Sequence, residues 1–139
     1  MISIDLPFPP STNNAYATFQ GRRILSTKGR EYHVRVAERV ILAGSPRIEG
    51  RLAVWLHIHP PDRRARDIAN FEKLCIDGLA KAGVFDNDNQ IDDLRLSRLD
   101  IVPGGKIRVH IEPWKIEDCP TTRCPAASAG TERSGTDGR

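Results

Sequence analysis

The sequence predicts an α+β fold, a mixed sheet of about four to five strands with two helices packed on it, in the order β(β)αβαββ. Three observations carry this. Segments with period-two apolar alternation take turns along the chain with segments at helical spacing. Strand-helix-strand connections are right-handed crossovers, which lay both helices on one sheet whose strands are partly parallel. Pro103, Gly104 and Gly105 separate the last two strand-like segments and predict a hairpin, hence an antiparallel pair. A length of 139 residues fits one domain with a core large enough to need no covalent staples.

The elements follow in order. Ile2, Ile4 and Leu6 alternate as a strand, which Pro7, Pro9 and Pro10 end, opening a loop through Asn13 and Asn14. Arg22 to Leu25 reads as a short second strand. Ser26 or Thr27 caps a helix carrying Tyr32, Val36 and Val40, with Ala37 and Ile41 beside them and Glu31 and Arg35 as an i,i+4 pair; Gly44 and Pro46 stop it. Leu52, Val54, Leu56 and Ile58 alternate with Ala53, Trp55, His57 and His59, a strand with one strongly buried face. The strand histidines read as half-buried or solvated, and Trp55 as core or interface.

A second helix is predicted from about Ile68 to Ala82, with Ile68, Phe71, Leu74, Cys75 and Leu79 inward, Lys73, Asp77 and Lys81 on the polar face, and Gly83 at its C-terminus. An acidic loop, Asp86 to Gln90, leads into a strand over about Asp93 to Ile101, where a change of face between Leu96 and Leu99 predicts a bulge. Ile107, Val109 and Ile111 make the last strand. Residues 1 to 116 therefore form the domain, and 117 to 139, rich in Thr, Ser, Gly, Pro and charge without periodicity, are predicted to be a disordered tail.

Charge excludes little. Twenty-one basic against 18 acidic residues leave +3, so any argument for nucleic acid rests on where the charges lie. No stretch approaches the roughly 18 apolar residues of a membrane span, and the N-terminus lacks a basic region followed by an apolar run, so a soluble cytoplasmic protein is expected. Cys75, Cys119 and Cys124 are too few for a disulfide framework or a zinc site and read as reduced thiols.

The chemistry concentrates between Asp62 and Asp93. Arg63, Arg64 and Arg66 leave the end of a buried strand and lead to a predicted helix start, an arrangement suited to phosphate; a solvated basic loop is the plainer alternative. Asp67 stands where an N-cap belongs and needs no other role as a cap. Asp86, Asp88, Asp92 and Asp93 form a second acidic group after the helix has returned across the sheet, although Asp and Asn are also ordinary turn formers. Carboxylates from separate segments suit Mg²⁺, which keeps several waters, and Asn70 and Lys73 follow Asp67 at spacings that share its helix face. Together these residues fit metal-assisted attack on a nucleic-acid backbone.

In Asp67, Asn70, Lys73, Asp77, Lys81-Ala82-Gly83, Asn87-Asp88 and Gln90, with LPFPPSTNNAY near the start, the chain resembles the RusA family of Holliday junction resolvases across roughly residues 1 to 112. The resemblance implies a homodimeric endodeoxyribonuclease that cuts four-way DNA junctions with Mg²⁺ or Mn²⁺. Carried over, Asp67 and Asp88 would be metal ligands and Lys73 the catalytic lysine; the basic loop's own charge makes Arg63, Arg64 and Arg66, with Lys73, the expected contacts to DNA phosphates. The chain departs from the family pattern in two places. Ala69 stands where the family usually has a second essential Asp, and Asn87 replaces the first acid of the pair. Three accounts follow: a disabled enzyme, compensation by a neighbour such as Glu72 or Asp86, or a junction-binding protein that does not cleave.

Overall fold

The computed structural model describes residues 1–115. The predicted tail, with Cys119 and Cys124, lies outside the described residues. The elements are β1 (Ile2–Pro7), α1 (Thr12–Ala15), β2 (Tyr16–Phe19), β3 (Arg22–Leu25), α2 (Thr27–Leu42), β4 (Leu52–His59), α3 (Glu72–Lys81), β5 (Ile91–Arg98) and β6 (Lys106–Pro113), with 3-10 turns at Ile68–Asn70 and Asp88–Gln90. The α+β expectation holds. Four strands form a mixed sheet in the order β1-β6-β4-β5, while β2 and β3 pair only with each other.

The apolar alternation read from the sequence places the core. Leu52, Val54, Leu56 and Ile58 of β4, Ile107, Val109 and Ile111 of β6, and Ile4 and Leu6 of β1 are all buried. Tyr32, Val36 and Val40 of α2 and Leu74, Cys75 and Leu79 of α3 lie in the same cluster. Each such aliphatic side chain contributes on the order of 1.5–3 kcal/mol by leaving water. Ser26 caps α2 by accepting from the Gly29 amide at 3.2 Å. Both long helices end alike: Gly44 N donates to Ile41 O and Ser45 N to Val40 O in α2, and Gly83 N donates to Ala80 O and Val84 N to Leu79 O in α3.

Four expectations need correction. The Pro103-Gly104-Gly105 turn does not make β5 and β6 neighbours. β5 pairs in parallel with β4, and β6 lies antiparallel between β4 and β1. Residues 99 to 102 instead cross the end of β4, with Leu99 N donating to Ile58 O and Val102 N to Pro60 O, so the chain descends on the far side. The irregularity in β5 sits at its start: the register steps from Ile91 to Asp93 opposite Leu52 and Ala53, and the strand ends at Arg98, before Leu99. The second helix is broken, a 3-10 turn over Ile68–Asn70 preceding α3. Glu31 and Arg35 share an α2 face without forming an ion pair among the described residues.

His33 of α2 is the buried polar side chain of the core, and neither ring nitrogen has a hydrogen-bond partner among the described residues. Burial first, and the Lys81 charge second, hold its pKa below the ordinary 6.5, with Asp77 opposing them. The unfolded chain thus takes up a proton near pH 6.5 more readily than the folded chain does. Stability contributed by neutral His33 is complete above that pH and is lost as pH falls below it. Thermal melts from pH 7.5 to 5.5 should show a smaller decline for His33→Leu than for the wild type; parallel curves would mean that His33 titrates alike in both states.

Candidate active site

The site is assembled around the start of α3. Asp67 is exposed and accepts from the Ala69 amide at 3.1 Å, capping the 3-10 turn. The cap expected from sequence is present, but α3 itself starts only at Glu72, so the arginine loop does not run straight into a helix terminus. Beside Asp67 opens a cleft of about 470 Å³ lined by Phe8, Ser11, Asn14, Arg64, Asp67 and Asn70, among others. Thr12 Oγ1 donates to Asn70 O at 2.6 Å, tying α1 to the 3-10 turn.

One turn further, Asp77 Oδ2 accepts from Tyr16 Oη at 2.7 Å and lies 3.3 Å from Lys73 Nζ. Burial, then the bond to Asp77, raises the Tyr16 hydroxyl pKa, so it remains a donor at neutral pH. Lys73 is thereby held on a carboxylate that is itself held from β2. Glu72 is half-buried. Burial raises its carboxyl pKa, and the Asp77 and Asp88 charges add to that while Lys73 opposes. Asp88 is therefore near enough to Glu72 to act on it electrostatically.

The second acidic group resolves into separate roles. Asp86 pairs with Arg47, which also donates to Gly83 O at 3.0 Å. Asp92 pairs with Arg51, whose Nε lies 2.8 Å from Asp92 Oδ2, and Asp93 with Arg95 at 3.1 Å. Asp88 is exposed and has no ion pair among the described residues; neither have Asp67 and Glu72. Asn87 caps the 3-10 turn, accepting from Asn89 N at 3.0 Å. Gln90 Oε1 accepts from the Asp86 and Asn87 amides at 2.8 and 3.0 Å, and its Nε2 donates to Gly50 O at 2.9 Å. The two amide residues shape the loop that carries Asp88.

The arginines also divide. Arg66 is mostly buried, pairs with Asp62 at 2.7 Å and lies 5.6 Å from the Phe8 ring centroid. The Arg66 guanidinium lowers the Asp62 carboxyl pKa to about 2, chiefly by donating a hydrogen bond to it. Arg64 is 81% exposed with Asp62 at 3.8 Å, and Arg63 is exposed with no ion pair among the described residues, so these two are the ones open to an external anion. From β5, Arg98 donates to Arg66 O at 2.6 Å and fixes the loop's end.

Among the described residues no three His, Cys, Asp or Glu side chains form a group that could hold a metal ion. Asp67 and Asp88 share no bond. The donor set nonetheless fits a hard divalent cation, because Mg²⁺ is commonly held by one or two carboxylates plus water and substrate phosphate rather than by a closed protein cage. Unpaired carboxylates at Asp67, Glu72 and Asp88 provide that chemistry. Sequence reasoning assigned no part to Tyr16 and Thr12. The signal was available in Tyr16–Phe19, a two-residue Gln20-Gly21 turn and Arg22–Leu25, which together have hairpin spacing.

A family model for endodeoxyribonuclease RusA matches residues 7–112. The crossover junction endodeoxyribonuclease RusA of Escherichia coli (strain K12) is 38% identical over 111 residues, covering 78% of this chain and 92% of that protein. The protein of the same description from Enterobacteria phage 82 is 37% identical over 110 residues, covering 78% and 91%. That of Shigella sonnei (strain Ss046) is 37% identical over 111 residues, covering 78% and 92%.

Proposed function

The chain belongs to the RusA family of endodeoxyribonucleases, and on that premise we propose that it resolves four-way DNA junctions as a homodimer, hydrolysing phosphodiesters with Mg²⁺ or Mn²⁺. Resolution requires cuts on two opposing strands, which is the reason for two linked sites. Relatives from a bacterium and a phage support a site of action in the bacterial cytoplasm. No described helix is long and apolar enough to cross a membrane.

The observation that carries the proposal is the sorting of charges: Asp86, Asp92 and Asp93 are consumed by arginines, whereas Asp67 and Glu72 at the start of α3 and Asp88 in the 3-10 turn that follows it form no ion pair among the described residues. In this reading Asp67 and Asp88 hold the cation, and Glu72 supplies the carboxylate that Ala69 lacks. Asp86 is the weaker candidate for that compensation because Arg47 already neutralises it. A divalent cation held by Asp67 and Asp88 would supply Lewis-acid polarisation of a phosphoryl oxygen and a lowered pKa for the attacking water. Lys73, held by Asp77 at 3.3 Å, offsets charge developing on the phosphate. Arg63 and Arg64 position the DNA backbone without reading bases, and Arg66, engaged with Asp62, shapes their loop.

A second reading has an observation of its own. The Ala69 methyl cannot ligate, and no three-donor group is preformed among the described residues, which favours a junction-binding protein that does not cleave. Incubating the purified protein with a synthetic four-way junction and Mg²⁺ separates the two. The proposal expects metal-dependent, symmetrically placed nicks and an intact linear duplex; uncut strands at saturating occupancy would establish the non-cleaving reading instead.

A further inference from the structure

The β2–β3 hairpin stands apart from the four-stranded sheet and takes no part, beyond Tyr16, in the reaction above. Its base is anchored. Tyr16 bonds Asp77, Ser26 Oγ donates to Asn14 O at 2.6 Å, and Ser26 N donates to Ala15 O at 2.8 Å. Gly29 of α2 admits this base closely: a Cβ there would lie 2.4 Å from Ala15 O and 2.5 Å from Leu25 Cδ2. The tip is free. Gln20 and Gly21, with φ of 53° and 73°, make the tight two-residue turn that right-twisted strands require, and Phe19 opposite Arg22 is the last pair before it.

The hairpin's two faces differ. Tyr16 and Leu25 turn inward and pack against the core, whereas Ala17, Phe19, Arg22 and Ile24 share the outer face and are all exposed, Phe19 at 60%. Arg23 stacks 5.0 Å from the Tyr16 ring centroid, on the inner side. From Leu6 to Arg30 the chain contains no Asp or Glu, but has Arg22, Arg23, Lys28 and Arg30. An exposed aromatic ring on an arm without negative charge matches a polyanion whose bases are accessible. A second copy matches it less well, since an isologous contact would bring arginine to arginine.

We propose that this hairpin probes the branch point of the DNA, with Phe19 stacking on a base left unstacked where the strands exchange and Arg22 and Arg23 holding the flanking phosphates. The inference rests on the junction-resolving reading and adds to it a contact outside the hydrolytic site. Continuous duplex keeps its bases stacked and has nothing for Phe19 to receive. The hairpin therefore contributes to selection of branched over linear DNA, while its arginines contribute to both. Stacking of a base on an aromatic side chain corresponds to roughly 5- to 150-fold in affinity.

The test is affinity without metal, so that no strand is cut, for a four-way junction carrying 2-aminopurine at the branch and for a linear duplex of the same sequence. Wild-type protein should prefer the junction and change the 2-aminopurine fluorescence. Phe19→Ala should lose about tenfold on the junction, nothing on the duplex, and the fluorescence change. Phe19→Trp should retain all three properties, and Phe19→Leu should behave as the alanine variant. Arg22→Ala with Arg23→Ala should weaken both DNAs and flatten the salt dependence. Unaltered junction affinity in Phe19→Ala would overturn the inference, as would a change in its oligomeric state at constant affinity, which would make the face a contact between copies. Failure of the junction-resolving reading is separately visible: the wild type alone would then show no preference for the junction.

Discussion

Asp88→Asn should reduce junction cleavage by at least about a hundredfold while leaving junction affinity within about twofold of the wild type. The magnitude follows from the proposed role of Asp88, which is to hold the cation that would offset charge on the reacting phosphate, an effect worth on the order of 3–4 kcal/mol at such sites. The fold should not suffer. Asp88 is exposed, forms no ion pair among the described residues, and its loop is held by Asn87, Gln90 and the Asp86–Arg47 pair. A surface change of this kind shifts stability by no more than about 0.5 kcal/mol. The matched control is Asp92→Asn, which breaks an exposed pair with Arg51 and should leave cleavage near the wild-type rate. Comparable losses in both variants would mean that the loop's overall charge matters, not a ligand at Asp88.

Ala69→Asp should change activity in the opposite direction, raising cleavage by about tenfold or more with little effect on affinity, because a third carboxylate strengthens ligation without touching Arg63 or Arg64. Ala69 is exposed and contributes its amide to the Asp67 cap, so the substitution needs no repacking. Glu72→Gln probes the same gap from the other side. If Glu72 compensates for Ala69, this variant should lose most cleavage, and adding Ala69→Asp should restore it. Unchanged cleavage in Ala69→Asp would show that the methyl group at 69 is not what limits this protein.

Much of this was readable in the chain itself. Period-two patterning in β4 and β6 identified core positions that are buried without exception, and Ser26 and Gly83 marked helix ends correctly. The strand order was not readable. Alternation in Ile107, Val109 and Ile111 says which face is covered, and nothing in it says which strands lie on either side, so a Pro-Gly-Gly turn with the look of a hairpin follows a segment, residues 99 to 102, that crosses the end of β4. The 3-10 turn escaped for a related reason: Ile68 and Phe71 keep helical spacing while Asp67 closes a tighter turn on Ala69.

At the site, residue types pointed to the chemistry but not to its distribution. Four aspartates in the second acidic group look alike in sequence, and only the arginines reaching them from residues 47, 51 and 95 distinguish Asp88. Arg66 shows the converse, since its pairing with Asp62 and its place over Phe8 depend on how the loop folds back. Tyr16 reaches Asp77 across 61 residues of chain, a separation at which spacing carries no information.

In the proposed site Asp67 and Asp88 hold a divalent ion at the mouth of the arginine loop. Titration with Mn²⁺ followed by electron paramagnetic resonance measures this without DNA or turnover. Saturable binding is expected in the wild type and its loss in Asp67→Asn with Asp88→Asn, whose thermal melt should match the wild type; the same Mn²⁺ occupancy in both proteins would rule out these two carboxylates as the ligands.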